Sequence, residues 1–297
     1  MAIMVNAGRV PDPMAAKSKA AKPPRDLPDE EIDDTNMPLL DHLAELRQRL
    51  LYSLAAILVL FVISYYFAGS IFAFLVQPLA DIMAEQGGNR RLIYTALQEA
   101  FFTYLKVAMF TALFVGFPFM AVQIWRFVAP GLYRREKMAF LPFLVATPVL
   151  FFLGGALVYY LIFPMAWRFF LSFETMGGAD QLAIQLEAKV DQYLSLVMTL
   201  IFAFGLCFQL PVVLLLLARA GMITAQTLVD KRKYAVVLAF IVAAILTPPD
   251  VISQIGLAVP TLLLYEASIV AIRLTERARA RREADQDAKA DDAATAP

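Results

Sequence analysis

Residues 123–137 read Gln-Ile-Trp-Arg-Phe-Val-Ala-Pro-Gly-Leu-Tyr-Arg-Arg-Glu-Lys, a short charged island between two long apolar runs. The island holds one anion, Glu136. Its cations are Arg126, Arg134, Arg135 and Lys137. Aromatic side chains beside Lys and Arg at the end of an apolar run are typical of a membrane–water interface. Two interpretations follow: a generic positively charged turn on the cytoplasmic side, or a cytoplasmic loop that the rest of the chain is arranged to present.

The composition is that of a membrane protein. The chain is 60% hydrophobic and 18% charged, whereas soluble domains carry about 25% charged residues. The sequence has one His, one Cys and no GxxxxGK[ST], HExxH or GxSxG motif, so we expect no metal, no cofactor, no nucleotide and no enzymatic activity. Nothing in the composition indicates nucleic-acid binding.

Both ends of the chain predict disordered tails. Residues 1–36 are polar and rich in Pro, with an acidic run at 29–34, and contain no apolar segment of the kind a cleaved signal peptide needs. The chain becomes charged again from Arg273. We therefore expect a disordered tail at 1–36, a membrane domain at 37–275 and a second disordered tail at 276–297.

The membrane domain contains six apolar runs that predict six crossings. They lie at 50–68, 100–122, 138–166, 193–218, 234–246 and 251–272. The third run exceeds one straight span, which predicts a tilt, a kink at Pro142 or Pro148, or an extension beyond the lipid. The fifth run is too short for a full bilayer unless the membrane thins or its polar ends are buried in protein.

Shorter patterns fill the connections. Leucines at helical spacing over 37–49 predict a short amphipathic helix at the interface. The segment 71–83 is apolar but interrupted by Pro78 and Asp81, which favours an interfacial helix over a further span. Pro248 and Pro249 end the fifth helix, and Asp250 is well placed to cap the sixth.

The Lys and Arg residues are sorted by position. The N-terminal tail through Arg49, the loops 123–137 and 219–233, and the C-terminal tail hold 21 of the 26 cations, while the three opposite loops hold four. Because Lys and Arg concentrate in cytoplasmic loops, the sequence predicts an all-α protein of six transmembrane helices with both termini in the cytoplasm.

Three polar residues lie inside the apolar runs: Lys106, Gln209 and Glu266. Lys106 either snorkels to the outer interface or pairs with Glu99, or it lines a pathway through the membrane. The three residues together motivate an alternative function, a secondary transporter of a small solute, although the two halves of the chain show no internal repeat.

Four motifs in this order resemble the TatC family, the polytopic core of the twin-arginine protein translocase, between about residues 37 and 273. The motifs are His42-Leu-Ala-Glu45-Leu-Arg47; Trp125-Arg-Phe127-Val-Ala-Pro130-Gly-Leu-Tyr133 followed by Glu136; Ala203-Phe204-Gly205 with Pro211; and Thr247-Pro-Pro-Asp250 with Ser253-Gln254.

The resemblance implies a receptor and assembly platform in the bacterial inner membrane, built as a concave, open arrangement of six helices. Such a protein binds Arg-Arg signal peptides on its cytoplasmic face and exports folded proteins, using the proton-motive force and no Sec machinery. Its implied partners are TatA-type and TatB-type single-span proteins, the signal peptides, the lipid bilayer and further copies of itself.

The resemblance also implies site residues. Glu45 and Glu136 are expected to meet the signal arginines, because a carboxylate accepts a guanidinium in a bidentate way that Lys cannot match. The neighbours expected to shape this site are Arg47, Phe127 and Pro130. The expected structural or partner-contact positions are Pro78, Gln209, Thr247, Asp250 and Gln254.

Each implied acceptor has a plainer alternative. Glu45 can pair with Arg49 four residues on, and Glu136 can be neutralised by the cations beside it. Gln209 stands where some relatives carry an acid. Since Gln does not titrate, a proton relay through this position is not expected, and a hydrogen bond between helices or to a partner helix is the alternative.

Overall fold

The computed structural model describes residues 39–85, 91–128, 141–175, 182, 184–247 and 250–295. The chain divides into two units, Met1–Ala44 and Glu45–Pro297, and the packing below is that of the second. The described residues are helical apart from short connections and two isolated β-bridges. The helices are α1 (Leu39–Tyr66), α2 (Ala68–Glu85), α3 (Glu99–Val128), α4 (Leu141–Leu157), α5 (Phe163–Leu171), α6 (Val190–Cys207), α7 (Leu210–Arg219), α8 (Ala225–Asp230), α9 (Arg232–Leu246) and α10 (Val251–Thr295), with a π-helical segment (Val158–Ile162) between α4 and α5.

Six helical stretches among the described residues are long and apolar enough to cross a bilayer, as the sequence predicts in number. They are Leu43–Tyr66, Ala68–Glu85, Glu99–Phe127, Pro142–Leu171, Val190–Arg219 and Val251–Gln286. Helices satisfy every backbone group internally, which the hydrocarbon requires. This set includes α2 and omits α9, so the contacts between helices must decide which segments carry the chain across.

Side-chain contacts define two ends of the helix packing. At the Lys106 end, Lys106 Nζ of α3 lies 2.5 Å from Asp191 Oδ1 of α6. At the Trp125 end, Trp125 Nε1 of α3 lies 3.2 Å from Thr147 Oγ1 of α4. Helices α3 and α6–α7 therefore run from the Lys106 end to the Trp125 end, and α4–α5 runs back between them.

Helix α9 returns the chain to the Lys106 end. It begins where Arg232 contacts Glu266 of α10, at 2.6 Å, and Tyr265 beside it donates to the Leu228 carbonyl, at the Trp125 end. Helix α10 begins near Ile162, which a Cβ on Gly256 would touch. Helix α9 therefore connects the two ends with 15 residues, about 22 Å of helix against a hydrocarbon core of about 30 Å.

Helix α2 does not return across the membrane. Tyr159 of the π-helical segment donates to the Phe74 carbonyl at 2.7 Å, and Arg168 of α5 contacts Glu85 at 3.2 Å. The two segments thus run side by side in the same direction, toward the Lys106 end. These directions indicate α1, α3, α4–α5, α6–α7, α9 and α10 as the six crossings, and the interfacial position that the sequence predicts for 71–83 stays a prediction.

The structure corrects the prediction of a separate amphipathic helix at 37–49. Helix α1 runs without a break from Leu39 to Tyr66. No Gly or Pro interrupts this stretch, so nothing stops the helix where the charged residues give way to apolar ones.

The third crossing departs from α-helical bonding beyond Pro142 and Pro148, the two positions at which the sequence allows a kink. Helix α4 continues through Pro148, and the departure from α-helical bonding comes later, where Phe163 N–H donates to the Val158 carbonyl five residues back. Pro164 follows at once and lacks the N–H that an α-helical turn would use. The wide turn therefore accommodates this third proline.

Helices α4 and α6 meet at a close-packed seam made by two glycines. A Cβ on Gly154 would lie 2.6 Å from the Phe204 carbonyl oxygen, and a Cβ on Gly205 would lie 2.6 Å from the Phe151 ring. Phe151 is fully buried and stacks on Phe117 of α3 at 3.7 Å between centroids. Small residues let membrane helices approach closely enough for such packing.

Helix α10 extends to Thr295, past residue 276, from which the sequence predicts a disordered tail. The segment after Arg273 is rich in Ala and Arg, which favour helix over coil. Glu276 anchors this segment, since its Oε1 accepts from the Ala225 N–H at 3.0 Å.

Candidate functional site

Glu45 lies in the first turns of α1, and only one of its two carboxylate oxygens has a hydrogen-bond donor among the described residues. Arg49 Nε donates to Glu45 Oε1 at 3.0 Å, and a second guanidinium nitrogen contacts the same oxygen. The other oxygen, Oε2, is buried and accepts no hydrogen bond from any described residue. A buried carboxylate oxygen without a hydrogen bond costs free energy. A donor supplied by another molecule would therefore stabilise Glu45 Oε2.

The remaining predicted peptide-site residues are only partly described. Arg47 is exposed, one residue off the Glu45–Arg49 face, and Phe127 is half-buried in the last turn of α3. Glu136 and Pro130 lie outside the described residues. The meeting of Glu45 and Glu136 therefore stays a prediction.

Thr147 joins three helices at the Trp125 end. Its hydroxyl receives the Trp125 indole N–H, and its carbonyl oxygen accepts from Gln209 Nε2 at 2.8 Å. Gln209 lies in the break between α6 and α7 and so bonds across helices, with its Oε1 buried and unpaired among the described residues. The sequence did not single out Thr147, and the one signal available was that it is the only Ser or Thr in the charge-free run 138–166.

Arg219 adds a cation to the same end. Its guanidinium carbon lies 4.6 Å from the centroid of the Phe143 ring, close enough for a cation–π contact. Phe143 and Thr147 lie one turn apart on α4. The Trp125 end thus presents an aromatic, cationic surface with hydrogen-bonding groups behind it.

The predicted structural or partner-contact positions lie in three places, one of which is Gln209 at the Trp125 end. Pro78 is buried inside α2. Thr247 is buried and its hydroxyl donates to the Ala243 carbonyl. Asp250 Oδ2 accepts from the Ser253 N–H at 2.6 Å, which caps α10, and Oδ1 is buried without a described partner. Gln254, one turn on, is half-buried.

Replacing Asp250 with Ala is expected to destabilise the protein by about 1 kcal/mol, because α10 loses its N-cap. Asn keeps the capping oxygen, so Asp250→Asn is the matched variant and should melt close to the wild type. The measurement is thermal unfolding of the purified protein in detergent. Equal melting temperatures for the Ala and Asn variants would show that the cap contributes nothing.

The charges within the apolar runs are paired differently from the prediction. Lys106 pairs with Asp191 of α6 and not with Glu99, because α6 begins directly beside α3. Glu99 instead accepts from the N–H groups of Thr95 and Ala96.

Glu266 is paired as well, with Arg232 of α9. Both charges that motivated a solute transporter therefore have an ion-pair partner. Among the described residues there is also no group of three metal-ligating side chains.

An all-helical chain whose described residues include six membrane-length apolar helices is a polytopic integral membrane protein. The family model described as Sec-independent protein translocase protein (TatC) matches residues 41–260, and the chain belongs to this family.

Individual relatives agree. The Sec-independent protein translocase protein TatC of Magnetococcus marinus is 51% identical over 252 residues, which cover 85% of this chain and 90% of the relative. That of Rickettsia prowazekii is 46% identical over 239 residues, covering 80% and 94%.

Solved structures carry the same fold. A crystal structure of the twin arginine translocase receptor TatC is 39% identical, with a TM-score of 0.66, over 78% of this chain and 98% of that one. A second, in the detergent DDM, is 38% identical with a TM-score of 0.67, over 78% and 99%.

Proposed function

We propose that the chain is the signal-peptide receptor and assembly platform of a Sec-independent (twin-arginine) translocase and has no enzymatic activity of its own. Membership of the TatC family makes it a translocase component. The observation that carries the receptor role is the buried Oε2 of Glu45, which has no hydrogen-bond donor among the described residues. An arginine brought by another chain would supply that donor.

The proposed location is the bacterial inner membrane, with both termini and the Trp125 end in the cytoplasm. Support comes from the distribution of cations, of which 21 lie in the tails and loops at this end and four in the opposite loops. The even number of crossings returns the C-terminus to the side on which the N-terminus lies.

In the proposed mechanism, one signal arginine donates to Glu45 Oε2 while the Arg49 pair on Oε1 stays in place. Glu136 takes the second arginine, and Arg47, Phe127 and Pro130 shape the surroundings. An exposed ion pair contributes only about 0.2–1 kcal/mol, so most of the affinity comes from burying the apolar stretch of the signal peptide. Recognition of the Arg pair then determines which apolar peptides are accepted as signals.

The proposed partners are TatA-type and TatB-type single-span proteins, with further copies of the chain in the same complex. Helix α9 favours helix docking, since several of its large apolar side chains are exposed while only Ala239 and Ala243 are buried. The polar positions Thr247 and Gln254 lie at the end of this surface. Folded precursors are moved outward by the proton-motive force, coupled elsewhere than Gln209.

A crosslinking experiment tests the receptor role. A photoreactive residue replaces Arg126, which is exposed beside Phe127, in membranes supplied with a precursor whose signal carries Arg-Arg or Lys-Lys. We expect crosslinks to the Arg-Arg precursor and several-fold fewer to the Lys-Lys precursor, because Lys cannot make the bidentate pair.

The control places the same photoreactive residue at Tyr160, which is 71% exposed and lies on the Lys106 side. It should give no precursor crosslinks before transport begins. Equal crosslinking of both precursors from position 126 would reject arginine recognition at this end.

A further inference from the structure

Two adjoining cavities lie along α3 and α6, one apolar and one polar. The apolar groove has a volume of about 500 Å³ and is lined by Met109, Leu113, Thr199, Phe202 and Leu246, among others. The polar cleft has a volume of about 430 Å³ and is lined by Glu99, Lys106, Lys189 and Asp191, among others. Lys106 lines both, so the two cavities meet at its side chain.

The order of side chains along the helices matches the order of groups in a phospholipid. From Glu99 toward Leu113 on α3, and from Asp191 toward Phe202 on α6, charged positions give way to apolar ones. The change occurs where Lys106 lies, at the Lys106 end of two membrane-crossing helices. A cavity wall of this kind is polar at headgroup depth and apolar at acyl-chain depth.

The charges of the polar cleft decide the class of headgroup. The cleft holds two cations, Lys106 and Lys189, and two anions, Glu99 and Asp191, so it is formally neutral. A purely anionic headgroup would face both carboxylates, whereas a zwitterion can place its phosphate on the cations and its ammonium on the anions.

The Lys106–Asp191 pair leaves room for these contacts. The two side chains are 49% and 35% exposed, and an ammonium group has three donors, of which the described pair uses one. Asp191 likewise keeps acceptor capacity on its second oxygen. A primary ammonium fits better than a quaternary one, because only the former donates hydrogen bonds to carboxylates.

We propose that the apolar groove and the polar cleft together bind one phospholipid with a phosphate and a primary ammonium, of the phosphatidylethanolamine type. One acyl chain lies in the groove and the headgroup lies in the cleft. A transmembrane helix of a partner fits less well. The groove follows α3 from Lys106 to Leu113 and α6 from Ser195 to Leu206, about 10 and 16 Å of helix, well short of the roughly 30 Å of a transmembrane helix, and a helix side has no paired charges for the cleft.

Native mass spectrometry of the purified full chain tests the proposal. The protein is reconstituted into vesicles of equimolar phosphatidylethanolamine and phosphatidylglycerol and then extracted. We expect one phosphatidylethanolamine to be retained per chain. Two variants should each lower the retained fraction of lipid about tenfold: Thr199→Trp, at an exposed position lining the groove, and Lys106→Gln. A tenfold loss is the effect of removing one charged hydrogen bond or an equivalent set of apolar contacts.

The matched control is Val149→Trp, which adds the same indole at a 57% exposed position on α4 and should retain the lipid. Ser195→Leu fills the same groove with a smaller side chain and replaces Thr199→Trp if the latter melts below the control. The proposal is overturned if the groove variants retain lipid as the control does, or if both lipids are retained equally. A protein crosslink from position 199 in place of lipid would also overturn it, in favour of a partner helix.

Discussion

Glu45→Gln is expected to weaken binding of an Arg-Arg signal peptide, while Arg49→Gln strengthens it. The first variant removes the charge that accepts the signal arginine. The second removes the internal donor that occupies Glu45 Oε1 and leaves the whole carboxylate to the peptide. We expect about 1 kcal/mol in each direction, or roughly fivefold in affinity, since the side chains are about one-fifth exposed and partly screened.

The opposite signs separate recognition from structure. If the Glu45–Arg49 pair served only to stabilise α1, removing either partner would have the same effect, because both variants break the same contact. The measurement is retention of a labelled signal peptide by membranes containing each variant, with a Lys-Lys peptide as the reference. Losses of equal size in the two variants would leave the pair as a stabilising contact of the helix.

Gly154→Ala is expected to destabilise the protein by about 2 kcal/mol or more. The new methyl carbon would lie 2.6 Å from the Phe204 carbonyl oxygen and 2.9 Å from its carbon. Those atoms belong to the backbone of α6 and cannot turn aside as a side-chain end could. Relief requires α4 and α6 to separate, at the usual cost of overpacking.

Gly69→Ala is the matched control for this substitution. Gly69 also lies inside a helix, and a Cβ there would meet nothing within 4 Å. Ala favours helix over Gly by about 1 kcal/mol, so this variant should be at least as stable as the wild type. Thermal unfolding in detergent measures both. Equal stability of Gly154→Ala and the wild type would show that the seam is looser than the glycine geometry requires.

The crossings were predictable because hydrophobicity and length determine them locally. The apolar runs identified five of the six membrane-length helices, and the prolines after Thr247 separated α9 from α10. The apolar runs do not show which helices pack against one another. By length, α2 qualifies as a span and α9 does not, and only contacts such as Tyr159 with Phe74 and Arg232 with Glu266 reverse that choice.

In the candidate site, too, contacts between residues close in sequence were predictable, and contacts between distant residues were not. The Glu45–Arg49 pair follows from helical spacing alone and was weighed from the sequence. The Asp250 cap likewise depends on residues three apart. For Lys106 the sequence offered Glu99, seven residues away, as a possible partner, whereas its partner Asp191 lies 85 residues away. Thr147 became visible only once α3, α4 and α7 were placed side by side.

Trp125 donates its indole N–H to Thr147 at the end where the peptide is expected, two residues from Phe127. The chain has only one other tryptophan, Trp167, which is buried in α5 on the far side. With Trp167 replaced by Phe, the protein would carry a single tryptophan, at the end proposed to face the cytoplasm. Its emission would report the arrival of a cargo signal without any attached dye.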